Sequence, residues 1–124
     1  MVKSRNLQVG NTTMLVLSLL TEQDMYGYQM IETLAERSQN VFELQAGTLY
    51  PILHTLQKEG FVEAYEQDAG QARVRKYYHI TKRGGKNLAE QKKSWKRYSD
   101  AIDRVLGENE YAWRAPQSLN QFQS

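Results

Sequence analysis

Cysteine is absent from the 124-residue chain, which removes disulfides and thiolate metal ligands and fits a reducing cytoplasm. The two histidines, His54 and His79, are too few for a zinc site built on imidazoles, so neither a metal nor another cofactor is expected. Neither histidine has an evident acidic partner in the sequence. No Ser-His-Asp or Cys-His arrangement and no glycine-rich phosphate loop is readable, so no catalytic residue is assigned and no enzymatic activity is expected. Long hydrophobic runs are also missing. The longest, Met14 to Leu20, is broken by Ser18 and falls far short of the roughly 20 residues of a membrane span. No signal-like apolar segment is present, and a soluble cytoplasmic protein without membrane contact is expected.

What is there fits one compact domain, with 40% hydrophobic and 24% charged residues. The net charge of +2 conceals an asymmetry: Arg73 to Arg97 holds ten Lys or Arg and one acid, Glu90, giving +9, which leaves −7 for the rest. One region is built to meet anions, although part of such a run is ordinarily a solvated helix face.

From Asn11, the residues Met14 to Leu20 are apolar on nearly every side and predict a buried first helix. Thr21 to Asp24 interrupts it. Tyr28, Ile31, Leu34 and Ala35 recur at helical spacing in a second helix that ends near Ser38 to Asn40. A third runs from Ala46 to Glu59, with Leu49, Ile52, Leu53 and Leu56 on one face and Gly60 as its stop. The period then changes. Phe61–Gln67 and Arg73–Ile80 predict a two-stranded hairpin around a loop at Asp68–Ala72. Thr81 is placed to cap a long helix that Gly107 ends. Along that helix Leu88, Trp95 and Ile102 recur at sevens, as do Gln91, Tyr98 and Val105, a seam that wants a partner helix.

This order predicts a mainly α chain with a small β-hairpin (α+β): a winged helix-turn-helix domain over 8–81, a dimerisation helix over 82–107 and a flexible tail over 108–124. In such a fold the third helix enters the major groove of double-stranded DNA and the hairpin reaches the neighbouring backbone. Small domains of this order also serve protein contacts, so a dimeric ligand- or protein-interaction module without specific DNA binding is the alternative.

The surface residues bear on that choice. With the leucines inward, the 100° step places Gly47, Pro51, His54 and Lys58 on the opposite face of the third helix, flanked by Thr48, Tyr50 and Thr55. That face is small, polar and basic. Thr48, Tyr50 and His54 can donate to phosphates or base edges. Tyr50 can equally pack on the second helix or the hairpin, and Pro51 removes a helical hydrogen bond and bends the axis. In the hairpin, alternation separates Val74, Tyr78 and Ile80 from Arg73, Arg75, Tyr77 and His79, and Arg73, Arg75 and Lys76 are the wing candidates. A solubilising edge is the alternative for each.

Tyr26-Gly27-Tyr28, Ala46-Gly47-Thr48-Leu49-Tyr50-Pro51-Ile52-Leu53, Glu59-Gly60-Phe61-Val62 and Arg75-Lys76-Tyr77-Tyr78-His79-Ile80-Thr81, in this order, resemble the PadR family of regulators over roughly Met14 to Leu106. The resemblance implies a homodimeric winged-helix repressor whose long C-terminal helices clasp the partner, often at detoxification or efflux genes. One helix after the wing is similar to the compact branch of the family, unlike the longer branch that responds to phenolic acids. Gln45 stands where many members cap the third helix with Ser or Thr. Ser94-Trp95 resembles the position where multidrug-sensing members line a central pore, so Trp95 and Tyr98 are candidates for a planar aromatic effector. The other reading leaves Trp95 as filling of the dimer core.

Overall fold

Four helices and three strands follow one another as α1 (Val2–Leu20), β1 (Met25–Tyr26), α2 (Gly27–Arg37), α3 (Ala46–Lys58), β2 (Val62–Gly70), β3 (Arg73–Ile80) and α4 (Lys82–Leu106). The computed structural model describes the backbone of residues 2–107 and the side chains of residues 11–107. The tail expected over 108–124, with Tyr111, Trp113 and Phe122, lies outside the described residues.

α1 starts well before Asn11, where apolar periodicity first becomes readable. Its C-terminal half is surrounded: Val16, Leu17, Leu19 and Leu20 are all buried. The hydroxyl of Thr21 closes the helix by donating to the Ser18 carbonyl at 2.7 Å. α2 buries Met30 and Leu34, while Tyr28, expected on the packing face, is 61% exposed. The reason is local. Gly27 opens α2 directly from β1, which turns Tyr28 outward and gives the core position to Met30.

α3 buries Leu49, Leu53 and Leu56, and Gln45 provides no side-chain cap. Its end is a Schellman turn: Gly60 has φ +80°, its N–H donates to Gln57, and the Phe61 N–H donates to the Leu56 carbonyl at 2.9 Å. Gly is needed there because the left-handed region is costly for side chains bearing a Cβ.

The hairpin expected to have two strands belongs to a three-stranded antiparallel sheet of order β1-β3-β2. The added strand is two residues long, Met25 opposite Tyr78 and Tyr26 opposite Tyr77, too short to show an alternating pattern. The expected loop at Asp68–Ala72 shrinks as well. β2 continues through an irregularity between Asp68 and Gly70, and only Gln71 and Ala72, with φ +51° and +59°, make the turn. Two positive-φ residues form the mirror-image turn that matches strand twist, here without the usual glycine.

α4 is capped as expected: the Gly84 N–H donates to the Thr81 hydroxyl at 3.0 Å, and that hydroxyl donates to the Gly60 carbonyl at 2.7 Å. A Cβ at Gly84 would overlap the Phe61 carbonyl, so glycine lets this turn lie directly on the chain. Gly107, with φ +76°, follows the last turn. The chain divides into two compact units, Met1–Glu90 and Gln91–Ser124. The division falls inside α4, beyond the expected boundary at 81/82, because Gly84 and Leu88 pack within the first unit. Leu88 is therefore a core residue of that unit, which corrects its assignment to a dimer seam.

Candidate nucleic-acid interface

The inward leucines of α3 fix its orientation, so the remaining positions are presented by default. Gly47, Thr48, Tyr50, Pro51, His54, Thr55 and Lys58 are all exposed. A Cβ at Gly47 would meet nothing, so the first turn of α3 is open to close approach. Pro51, six positions into the helix, leaves the Gly47 carbonyl without its usual helical donor on this open side.

Tyr50 does two things at once. Its ring lies over Gly27, where a Cβ would overlap its hydroxyl, yet 39% of the residue stays exposed. Burial against α2, with the neighbouring Tyr28, raises its phenol above the usual value. Tyr50 thus packs on the start of α2 while part of its side chain stays open to solvent.

Beside Tyr50 a cleft of about 470 Å³ separates the N-terminus of α2 from the Arg73–Lys76 stretch of β3. Arg73 and Lys76 are exposed and Arg75 is half-buried. The faces of β3 depart from simple alternation. Tyr78 is buried but Val74 is 62% exposed, because the hairpin extends past the edge of the core and its apolar side is covered only at its base. Lys76 shares that side and stands 5.9 Å from the Tyr78 ring centre. The other side, expected to be mainly basic, is largely aromatic. The Arg75 guanidinium lies 4.3 Å from the Tyr26 ring centre, Tyr26 meets Tyr77 edge to face at 5.4 Å, and Tyr77 stacks on Tyr65 at 5.8 Å.

His79 on this side has an acidic partner after all: its Nδ1 lies 2.9 Å from Asp24. The Tyr65 hydroxyl donates to the other Asp24 oxygen at 2.6 Å. Partial burial alone would raise the Asp24 carboxyl, but the hydrogen bonds from Tyr65 and His79, with the charge on His79, hold it below the usual carboxylate range. Sequence reasoning missed Asp24, Tyr26 and Tyr65 as parts of this surface. Only the Tyr26-Gly27-Tyr28 motif signalled any of them.

In the second unit, Trp95 and Tyr98 are each 43% exposed with ring centres 5.9 Å apart. Ile102 and Val105 are also exposed, whereas Gln91 is half-buried. Lys96 pairs with Asp100 at 3.2 Å one turn along. Among the described residues no cluster of His, Cys, Asp or Glu could hold a metal ion, and no helix is long and apolar enough to cross a membrane.

Three helices carrying an open polar and basic face beside a basic hairpin define the chain as a winged-helix protein of the DNA-binding class. The family model for the transcriptional regulator PadR-like family matches residues 16–90. The chain belongs to that family and is a DNA-binding transcription regulator, not an enzyme. It is 35% identical to the "Uncharacterized protein X" of Lysinibacillus sphaericus over 97 residues, covering 78% of this chain and 89% of that one. Among solved structures, a transcriptional regulator from Clostridium thermocellum superposes with TM-score 0.72 at 27% identity, covering 77% of this chain and 92% of that one. A PadR family transcriptional regulator from Eggerthella lenta gives TM-score 0.69 at 30% identity, covering 87% and 88%.

Proposed function

We propose that the chain is a homodimeric, cytoplasmic transcriptional repressor of detoxification or efflux genes. Residues 8–81 form its DNA-binding part, and the helix over 82–107 dimerises through the portion that follows Glu90. The observation that supports this best is the open face of α3 adjoining the cleft that ends on Arg73, Arg75 and Lys76. Two copies of α3 enter successive major grooves about 34 Å apart, one helical turn of DNA. Thr48, Tyr50 and His54 reach base edges or phosphates, Pro51 leaves room for the backbone, and Lys58 and the wing cations neutralise phosphates.

Dimerisation uses Gln91, Trp95, Tyr98, Ile102 and Val105. The exposure of four of these, Trp95, Tyr98, Ile102 and Val105, on one side of a single helix supports the assignment. A planar aromatic ligand stacking on Trp95 and Tyr98 releases the repressor by altering the spacing between the two α3 helices.

Sedimentation at micromolar concentration tests the dimer, and a monomer there contradicts it. Binding to its own upstream DNA with and without a flat cationic dye tests the release. Loss of binding with dye is expected, and indifference to dye removes the effector role of Trp95. Equally weak binding to every DNA favours an interaction module instead.

A further inference from the structure

The ring contacts on the outer face of the sheet end on a cation that lies at the edge of the cleft. Tyr26 is opposite Tyr77 across the β1–β3 pair, so Arg75, two residues from Tyr77, is its diagonal neighbour on the same face. The guanidinium stands 4.3 Å from the centre of the Tyr26 ring. Tyr26 cannot swing away from it freely. Its ring is set against Tyr77 at an interplanar angle of 74°, Tyr77 is stacked on Tyr65 at 17°, and the Tyr65 hydroxyl is tied to Asp24. Among the described residues none of the ion pairs involves Arg75.

We propose that Tyr26 is a positioning residue for Arg75, holding its guanidinium in the orientation that grips a DNA backbone phosphate. This rests on the reading of Arg75 as a backbone contact. A guanidinium held over a ring by cation–π attraction makes no hydrogen bond to that ring face, so its in-plane N–H donors stay available for a bidentate grip on a phosphate. A free arginine loses rotamer freedom when it grips a phosphate, and one already fixed on a ring loses less of it. The sequence places the needed residues in adjacent strands only because β1 joins the sheet.

The experiment is a double-mutant cycle on the full chain, Tyr26→Leu against Arg75→Ala, with Tyr26→Phe as the conservative variant. Binding is measured on a duplex of its own upstream region, and melting curves are recorded for every variant. Tyr26→Leu is expected to weaken binding about fivefold per half-site in the parent and to change nothing in the Arg75→Ala background. Tyr26→Phe keeps the ring face and stays within about twofold of the parent. Equal loss in both backgrounds overturns the proposal and makes Tyr26 merely structural. Equal loss in the Phe and Leu variants also overturns it, and assigns a direct contact to the hydroxyl. If Arg75→Ala itself leaves affinity unchanged, the backbone-contact reading of Arg75 falls together with the proposal.

Discussion

Asp24 and His79 lie 55 positions apart and meet at 2.9 Å, tying the turn that precedes β1 to the base of the wing. Asp24 also accepts from Tyr65 of β2, so one carboxylate links the entry to α2 with both long strands.

The lowered Asp24 pKa sets a direction for pH dependence. A carboxyl with a depressed folded value contributes stability above its unfolded pKa, about 3.9, and loses that contribution as pH falls through the folded value. Asp24→Asn is expected to cost about 0.5–1 kcal/mol at neutral pH, the scale of a half-exposed pair. The variant should also lose less stability than the parent below about pH 4. Urea unfolding at neutral and acidic pH checks both, and identical acid sensitivity in the two proteins removes Asp24 as a source of it.

Gly27→Ala introduces a methyl where the Tyr50 hydroxyl now sits. Because that obstacle is the far end of a side chain, the ring is expected to shift and the fold to survive. Affinity for operator DNA should fall about fivefold if the Tyr50 hydroxyl donates to DNA. A melting curve paired with a binding titration separates the two effects. Unchanged affinity would return Tyr50 to a packing role.

Gly84→Ala meets backbone instead, the Phe61 carbonyl, which has no flexible end to move. Alanine normally favours a helix interior, yet here a destabilisation of about 1–3 kcal/mol is expected from overpacking. The urea midpoint decides: a rise would mean that α4 does not lie against Phe61 as described.

The wing turn places Gln71 and Ala72 at positive φ. Replacing the pair with Asn-Gly relieves a left-handed conformation that costs L-residues about 1–2 kcal/mol each. A net gain of about 1 kcal/mol is expected after the extra chain entropy of glycine. Slower hydrogen exchange across β2 and β3 would register it, and faster exchange would argue for a different turn.

Much of the fold is legible in the sequence where a regular period repeats over enough residues. The leucines of α3 recur over about two turns, so its inward and outward faces can both be assigned, and the stops at Gly60 and Gly107 follow from backbone chemistry. β1 is not legible because two residues contain no period, and with it goes the pairing of Arg75 with Tyr26, as well as that of His79 with Asp24, the residue just before the strand. Val74 misleads because strand alternation says which side a residue takes but not how far the core extends beneath it. Leu88 misleads for a related reason: spacing of seven does not distinguish burial within one unit from burial against a partner helix.

Binding of DNA by α3 and the wing together is what the proposed regulator depends on. The most direct measurement is affinity for the protein's own upstream duplex across a salt series, parent beside the Arg75→Ala/Lys76→Ala double variant. Tight binding that weakens steeply with salt is predicted for the parent, and for the double variant a slope shallower by up to about 0.9 for each phosphate that is no longer neutralised. An unchanged slope would contradict the wing assignment, and binding no tighter than to an unrelated duplex would contradict sequence-specific regulation through α3.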